Sequence, residues 1–284
     1  MPSPQTPDPN TALAILPARY ASTRLPGKPL LAETGKPLIQ HVVERVAQAK
    51  RVGRVLVATD DQRIYDAVAG FGGEAMMTRA DHPNGTSRLA EVVEKLKQEA
   101  RSTKRDTSIA AGGLHFGPRP DTPDPTPQII LNVQGDEPEI DPAVIDALVD
   151  AMTQDSEAPM GTVAAPLTGP EEIANPNVVK VVCDRRGRAL YFSRSPIPFE
   201  RDPPVDAAKR PITLRHLGLY AYRAAFLPVY AALPTTPLED AEKLEQLRAL
   251  EHGHAIRVIQ TDTAHPGIDT PEQYAAFVRR HSAE

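Results

Sequence analysis

The feature that most constrains the fold is a regular alternation of apolar runs and helical patterns through residues 12–154. Apolar runs typical of buried strands occupy 12–17, 54–59, 74–78 and 129–133, and an amphipathic helical pattern follows each of them. Such alternation indicates parallel strands joined by right-handed crossovers. The sequence therefore predicts an α/β fold with a mostly parallel open sheet flanked by helices.

The second half of the chain has shorter and more varied patterns. It predicts strands over 160–166, 178–184, 189–193, 214–222 and 255–260, helices over 224–233 and 238–251, and a last helix from 270. Residues 178–193 form a predicted hairpin, and Thr270-Pro271-Glu272-Gln273 has the form of a capping box. We expect this half to complete a single domain, 12–284, and to add a small antiparallel lobe.

Two segments show no pattern of a packed element. Residues 1–11 are rich in Pro and polar side chains, which predicts a disordered leader. Residues 101–127 combine Pro, Gly, Thr and charge without sustained periodicity, which predicts a flexible insertion. That insertion is either a tolerated surface loop or a lid over an active site.

Composition excludes several classes of protein. A formal net charge of -5 gives no general attraction to nucleic acid or to an anionic membrane. The single cysteine, Cys183, excludes an internal disulfide and a multi-cysteine zinc site, and we predict that it is a packing residue. No segment approaches the ~20 apolar residues that span a bilayer, and the first residues lack the pattern of a signal peptide. A cytoplasmic enzyme without membrane insertion is expected.

Three cations follow the first predicted strand. Arg19, Arg24 and Lys28 lie in a segment that Pro and Gly at 26–29 make too irregular for a helix. The spacing is not that of a Walker P-loop. Fixed cations on a loop that leaves a buried strand favour a site for a multiply charged anion, such as a nucleotide triphosphate. The alternative is that they are scattered surface cations.

Two carboxylates could complete such a site. Asp136 follows a buried strand, and ligands of open α/β sheets bind beyond the carboxyl ends of the strands. A carboxylate there suits Mg²⁺, although Asp136 could equally serve a turn. Asp269 precedes the capping box, where a structural role is the alternative. If both faced the cationic loop, they would form a metal-assisted phosphoryl or nucleotidyl transfer site.

The chain resembles a known family over nearly its whole length outside 1–11 and 101–127. The blocks that carry the resemblance occur in the family order: ILPARYASTRLPGKPL, VATDD, MTRADHPNGTSRLAEVVEK, ILNVQGDEP, NPNVVKVV, LYFSRSPIPF, RHLGLYAYR, LEDAEKLEQLRALEHG and GIDTPEQY. They resemble the 3-deoxy-manno-octulosonate (KDO) cytidylyltransferases. The resemblance implies a nucleotidyltransferase, Rossmann-like fold and a cytoplasmic homodimer. It also implies Mg²⁺ dependence and activation of KDO by CTP for lipopolysaccharide synthesis.

The resemblance also implies roles for single residues. Those implied to be catalytic are Arg19, Lys28, Asp136 and Asp269, of which the two carboxylates would bind the metal. Nucleotide-binding roles are implied for Arg19, Arg24, Lys28, Asn84, Gly85 and Arg88. Sugar-binding roles are implied for Gln134, Arg194, His216, Tyr220, Glu245 and Gln246. Residues 82–88, HPNGTSR, depart from the commoner HQSGTER, which leaves the individual cytosine contacts open.

The residues alone leave other interpretations open. Glu245 and Gln246 could be solvated residues of a helix face, and His216 could be a core histidine. The enzyme could activate another acidic sugar, of the sialic acid type, or use another nucleotide. The protein could also be a non-catalytic sensor of nucleotide or sugar acid.

Overall fold

The computed structural model describes residues 12–21, 24–82, 84–110, 127–167, 169–202, 213–262 and 267–281, without the side chains of 103–110. The strands among these residues belong to one sheet. They are β1 Ala12–Ala18, β2 Val52–Thr59, β3 Glu74–Met77, β4 Ile129–Asn132, β5 Met160–Leu167, β6 Lys180–Cys183, β7 Ala189–Ser193, β8 Thr213–Arg223 and β9 Ile256–Gln260.

Helices alternate with these strands in the first half and cluster near the end of the chain. They are α1 Leu38–Val46, α2 Gln62–Gly70, α3 Gly85–Ala110, α4 Pro142–Gln154, α5 Pro170–Ala174, α6 Phe226–Ala232, α7 Pro237–Glu242, α8 Gln246–Glu251 and α9 Pro271–His281. A single 3₁₀ turn, Lys28–Leu30, follows the cationic loop. No helix within the described ranges combines the length and apolarity needed to cross a membrane.

The sheet is parallel on one side and mixed on the other. Its order is β3-β2-β1-β4-β8-β5-β9, with β1 to β4 parallel to one another. Strand β8 comes from the second half of the chain and lies antiparallel between β4 and β5. The β6–β7 hairpin extends from β8. The predicted mostly parallel sheet with an antiparallel lobe is confirmed.

Helices cover both faces of the sheet, and β1 shows why its sequence is apolar throughout. Leu13 and Ile15 belong to the core on the side of α3, whereas Ala14 and Leu16 belong to the core on the side of α1 and α4. Because successive strand residues point to opposite faces, a strand buried on both faces needs an unbroken apolar run. Cys183 packs at the edge of the first of these cores, as predicted.

The helix predicted over 238–251 is wrong in one respect, because the structure has two helices there. Helix α7 ends at Glu242, and Lys243 adopts a left-handed conformation with φ of 52°. The largely buried Arg248 pairs with Glu239 across this break, with 2.7 Å between Nε and Oε2. Tertiary pairing therefore overrides the helical periodicity, and Glu245 becomes the residue that precedes α8.

Helix α3 is longer than its apolar pattern predicted. It continues to Ala110, into the segment 101–127 that was predicted to be an insertion. Good helix formers such as Lys97, Gln98, Glu99 and Arg101 allow this extension without an apolar face. The remainder of the insertion, 111–126, and the leader, 1–11, lie outside the described residues, so those two predictions stay predictions.

Candidate active site

The cationic loop folds back onto Tyr20. Gly27 has a φ of 67°, and its N–H donates to the carbonyl of Tyr20 at 3.1 Å. A Cβ at Gly27 would lie 3.2 Å from the Tyr20 ring, so this turn requires glycine for its conformation and for its space. The guanidinium of Arg63 lies 3.4 Å from the centre of the same ring. These contacts hold the loop just before Lys28, the first residue of the 3₁₀ turn.

The two predicted metal ligands converge on Lys28. Its Nζ lies 2.5 Å from Oδ2 of Asp136 and 3.2 Å from Oδ1 of Asp269. Arg24 approaches the other oxygen of Asp269 at 3.1 Å. We call these four residues the carboxylate clamp. The structure thus brings together side chains from the cationic loop, from the segment that follows β4 and from the segment before α9.

Backbone contacts explain why Asp269 lies beside Asp136. The N–H of Ile268 donates to the carbonyl of Asp136 at 2.8 Å. The capping box also forms, because Thr270 N donates to Oε1 of Gln273 at 3.0 Å and Thr270 Oγ1 accepts from Gln273 N at 3.3 Å. Thr270 and Gln273 therefore perform the helix-capping role that was the alternative for Asp269. The Asp269 carboxylate is left to face the cations.

The clamp fits a divalent ion that arrives with phosphate. Two carboxylates that meet at one position match Mg²⁺, which usually binds one or two protein carboxylates together with phosphate oxygens and water. Within the described part of the chain, no group of three or more His, Cys, Asp or Glu side chains could hold a metal. If Mg²⁺ binds here, Asp136 and Asp269 would supply part of its coordination shell, and phosphate oxygens and water would complete it.

The predicted nucleotide segment is tied to the cationic loop and to α3. Arg19 Nη2 donates to the carbonyl of His82 at 2.6 Å. Asn84 caps α3, since its Oδ1 accepts from Ser87 N at 2.9 Å. A Cβ at Gly85 would lie 3.4 Å from the ring of Pro17, so glycine allows the start of α3 to approach the end of β1.

Glu91 anchors this segment from within α3. It contacts His82 Nε2 and accepts from the backbone N–H of Arg79 at 3.2 Å. Burial pushes its pKa upward, but hydrogen bonds from Lys95 and His82 outweigh that effect and lower the pKa to about 2. Glu91 is thus ionised at neutral pH and holds both ends of the 79–82 turn.

Arg88, another of the predicted nucleotide residues, is buried. Its side chain is fully buried, donates to Thr78 Oγ1, and places Nη2 3.2 Å from Asp60 Oδ2. It therefore joins the residues that follow β2 and β3 beneath the rim. Sequence reasoning could not predict the burial of Arg88, because its partners Thr78 and Asp60 belong to other elements.

Two pockets meet beside the clamp. The first, the carboxylate pocket, has a volume of about 500 Å³ and includes Asp136, Asp269, Glu137 and Arg215 in its lining. The second, the tyrosine pocket, has a volume of about 340 Å³ and is lined by Tyr220, Tyr222, Tyr230, Gly85, Thr86, Asn132, Glu245 and Gln246, among others. Both pockets share Gln134, His216 and Gly218.

An irregularity in β8 creates the shared wall. Thr162 of β5 pairs with Tyr220, whereas its neighbour Val163 pairs with Leu217, so Gly218 and Leu219 have no direct partner in β5. A Cβ at Gly218 would lie 3.5 Å from Glu137 Oε1 and 3.6 Å from Gln134 Cγ. Bulges often occur at active sites because they redirect side chains. Here the bulge lets the segment after β4 approach β8 closely.

Five of the six predicted sugar residues line the tyrosine pocket: Gln134, His216, Tyr220, Glu245 and Gln246. His216 is a hydrogen-bonded residue, with Nε2 3.0 Å from Thr162 Oγ1, and burial lowers its pKa to about 3. It is therefore neutral at pH 7. The alternative that Gln246 is a solvated helix residue is wrong, because it is only 3% exposed. Glu245 keeps much of its surface exposed, yet burial of its carboxyl raises the pKa, and Arg248 opposes that shift.

Arg194 is the predicted sugar residue that the structure does not bring to this wall. Its Nε donates to the carbonyl of Glu242 at 2.7 Å, and its Nη1 donates to that of Pro176 at 3.0 Å. It lines neither of the two described pockets. Its contacts tie β7 to the end of α7 and to the segment before β6.

Sequence reasoning missed several polar residues of these pockets, among them Asn132 and Glu137. Asn132 ends β4 and was interpreted only as part of a buried apolar run. Glu137 lines the carboxylate pocket, where burial and the neighbouring charge of Asp136 raise its pKa to about 8. Its position directly after Asp136 was the available signal. For Asn132, the signal was an amide within an otherwise apolar strand.

Comparisons with known proteins agree with this geometry. The sequence model of the cytidylyltransferase family matches residues 13–106 and 120–256. The 3-deoxy-manno-octulosonate cytidylyltransferase of Syntrophotalea carbinolica is 53% identical over 263 residues, which cover 91% of this chain and 94% of that protein. The protein of the same name from Syntrophobacter fumaroxidans is 49% identical and covers 94% and 95%. The chain belongs to the 3-deoxy-manno-octulosonate cytidylyltransferase family.

A solved member of this family shows the same fold. The structure of CMP:2-keto-3-deoxy-manno-octonic acid synthetase complexed with CTP superposes with a TM-score of 0.81 at 41% identity, over 96% of this chain and 99% of that one. The predicted family and its nucleotidyltransferase fold are confirmed, and the chain is an enzyme of the nucleotidyltransferase class. The internal interval that the family model leaves unmatched, 107–119, lies within the predicted insertion.

Proposed function

We propose that the protein is a cytidylyltransferase that joins CMP from CTP to 3-deoxy-manno-octulosonate and releases pyrophosphate, as a step of lipopolysaccharide synthesis. The observation that carries this proposal is the convergence of Asp136 and Asp269 on Lys28 beside a polar pocket. The clamp has the charges for a triphosphate with its metal. The pocket has the neutral polar groups for a polyhydroxylated sugar.

On the nucleotide side, the chain supplies charge and position. Arg19, Arg24 and Lys28 would neutralise the triphosphate, and Asn84 and Gly85 would present the start of α3 to the nucleotide. Arg88 would act indirectly, because it is buried behind that turn. Asp136 and Asp269 would hold Mg²⁺, which when bound would offset phosphate charge and lower the pKa of a nearby hydroxyl.

On the sugar side, the pocket would hold the acceptor in line with the α-phosphorus. The side chains of Gln134, His216, Tyr220, Glu245 and Gln246 offer both hydrogen-bond donors and acceptors for hydroxyls. Arg194 would support this wall through its bond to the Glu242 carbonyl. The anomeric oxygen then forms a bond to the α-phosphorus while the bond to the pyrophosphate oxygen breaks. Positioning and charge stabilisation suffice, without a covalent enzyme intermediate.

The test is incubation of the protein with CTP, 3-deoxy-manno-octulosonate and Mg²⁺, followed by detection of CMP-sugar and pyrophosphate. We expect both products, and we expect their loss when the metal is chelated. Parallel reactions with sialic acid and with other nucleoside triphosphates distinguish the alternative substrates. Absence of any CMP-sugar with CTP and 3-deoxy-manno-octulosonate would overturn the proposal and favour a sensor.

We further propose that the enzyme acts as a cytoplasmic homodimer. Two large apolar side chains support an interface, since Phe199 is 88% exposed and Leu190 is 62% exposed. Light scattering of the full chain tests this assembly, with Phe199→Ser as the variant expected to weaken it. A wild-type mass that corresponds to one chain would contradict the dimer.

A further inference from the structure

Two buried polar atoms in the tyrosine pocket have no hydrogen-bond partner within the described residues. They are Oδ1 of Asn132 and Nε2 of Gln246. Both residues are only 3% exposed, and both line this pocket. A buried polar group without a partner costs about 1–3 kcal/mol, so proteins rarely retain one without a reason. Because both atoms line one pocket, a polar ligand bound there could satisfy them together.

The surroundings of Asn132 narrow the chemistry of that ligand. The residue lies opposite Tyr220 in the β4–β8 register, and its Nδ2 is 3.8 Å from the Cβ position of Gly85. Tyr222, which also lines the pocket, is hydrogen-bonded to the Asn132 side chain, and burial raises its pKa, so that it is un-ionised at neutral pH. Oδ1 can only accept a hydrogen bond. A carboxylate or phosphate oxygen would be repelled there, whereas a group that donates would be bound.

We propose that Asn132 is a specificity-determining residue that accepts a hydrogen bond from a hydroxyl of the sugar acid, while Gln246 donates to the same or a neighbouring hydroxyl. A hydroxyl both donates and accepts, so a polyol satisfies both unpartnered atoms. This inference rests on the proposed function and adds a residue to the sugar site. It also explains why β4 carries an amide in an otherwise apolar strand.

The variant Asn132→Leu tests the assignment, because leucine has nearly the size of asparagine and cannot accept a hydrogen bond. A neutral hydrogen bond of about 1 kcal/mol corresponds to a rise of about fivefold in the KM for the sugar acid. The KM for CTP is expected to stay unchanged. The melting temperature is expected to fall slightly, since leucine also removes the hydrogen bond between the Asn132 side chain and Tyr222.

The matched control is Thr236→Val. Thr236 Oγ1 is another buried atom without a partner in the described residues, but Thr236 lines neither pocket. Thr236→Val removes a comparable polar atom and should leave both KM values unchanged. An equal rise of the sugar KM in this control would show that the effect belongs to core packing, which would overturn the assignment.

Single-deoxy analogues of the sugar acid identify the hydroxyl. For one analogue, the wild-type protein and Asn132→Leu should have the same KM, because the group that Asn132 binds is already absent. If no analogue removes the difference, Asn132 does not bind a hydroxyl. If the KM for CTP rises and that for the sugar does not, Oδ1 accepts from the nucleotide instead, and the proposal is overturned.

Wild-type activity distinguishes a failure of the Asn132 assignment from a failure of the proposed function. If the wild-type protein does not convert 3-deoxy-manno-octulosonate, the proposed function fails and the assignment fails with it. If the wild-type protein is active and the sugar KM of Asn132→Leu is unchanged, only the assignment of Asn132 fails.

Discussion

The carboxylate clamp and the tyrosine pocket adjoin one another, yet their polar groups differ in burial and in whether they have partners. In the clamp, every charged side chain already has a partner of opposite sign, and the carboxylates remain partly open, with Asp136 24% and Asp269 42% exposed in their side chains. In the pocket, Asn132 and Gln246 are almost fully buried and each has an atom without a partner among the described residues. The clamp thus consists of paired charges, whereas the pocket contains polar atoms that lack hydrogen-bond partners among the described residues.

This contrast matches two kinds of recognition. Ions can exchange one charged partner for another at modest cost where water still reaches them. Hydroxyls are discriminated best by buried groups that go unpaired when the right ligand is absent. The clamp is therefore suited to binding a charged phosphate group, and the pocket is suited to selecting one sugar. The following changes test each half of this contrast.

The largest effect is expected from Asp136→Asn and Asp269→Asn. Each removes one of the two carboxylates that would hold Mg²⁺, and turnover should fall by about 10²–10³-fold because the bound ion would stabilise the charge of the transferred phosphoryl group. Steady-state assays at saturating CTP measure this fall. Asp150→Asn is the control, since Asp150 pairs with Arg51 on the surface at 2.8 Å. Near-normal turnover in either clamp variant would remove that residue from the proposed metal site.

The next effect concerns the ion pair that shapes the tyrosine pocket. Glu239 and Arg248 are 8% and 12% exposed in their side chains and join α7 to α8 across the break at Lys243. Glu239→Gln leaves the Arg248 charge largely buried without its partner, so the free energy of unfolding should fall by about 3 kcal/mol. The KM for the sugar should also rise, since Glu245 and Gln246 follow the break.

Denaturant unfolding and separate KM values for CTP and sugar measure the outcome of Glu239→Gln. Asp240→Asn provides the control, because Asp240 and Lys243 form an exposed pair at 3.4 Å. If Glu239→Gln raised both KM values equally, the pair would not act on the sugar wall in particular.

A third effect follows from the neutral state of His216. Its pKa is lowered to about 3, whereas an unfolded histidine has a pKa near 6.5. The contribution of His216 to the free energy of unfolding is therefore fully present above pH 6.5. It is lost as the pH falls towards 3, by about 1.4 kcal/mol per pH unit. Between pH 7 and pH 5, the wild-type protein should lose about 2 kcal/mol more than His216→Gln does.

Urea unfolding of both proteins at pH 7 and pH 5 measures that difference. His252→Gln serves as the comparison, since His252 is an exposed histidine near the end of α8. The free energy of unfolding could instead fall by the same amount in the wild type and in His216→Gln. That result would show that His216 takes up a proton as readily in the folded protein as in the unfolded chain.

The smallest effect tests whether Lys28 competes with a metal. Its Nζ lies between the two carboxylates, so Lys28→Met should raise the affinity for Mn²⁺ without nucleotide by about tenfold. Calorimetry measures this affinity without turnover. Lys36→Met, which removes an exposed partner of Glu44, should change nothing. A weaker Mn²⁺ affinity in Lys28→Met would show that Lys28 organises the carboxylates.

The sequence could predict the clamp better than the pocket. Strand β1 is recognisable because burial on both faces demands an unbroken apolar run, and the capping box at 270–273 is a local signal. Charged residues that follow predicted strands indicate the rim of a parallel sheet from local patterns alone. The proximity of Asp136 to Asp269, however, depends on the hydrogen bond from Ile268 N–H to the Asp136 carbonyl. No local sequence pattern predicts that contact.

Other features depend wholly on tertiary contacts. The break at Lys243 follows from the pairing of Glu239 with Arg248, which interrupts an intact helical periodicity. The burial of Arg88 depends on Thr78 and Asp60, which belong to other elements. An amide in a strand also looks the same in sequence whether its oxygen is bonded or not, so Asn132 could be recognised only in the folded protein.

The position of β8 in the sheet has a consequence for the assembly of the protein on the ribosome. Strand β4 pairs on one side with β1 and on the other with β8, which is encoded much later. During synthesis at about 5–20 residues per second, one edge of the nascent parallel sheet would remain unpaired for several seconds. Open edges invite pairing with other chains. Correct folding of the first half therefore depends on the second half being synthesised in time for β8 to cover the open edge of β4.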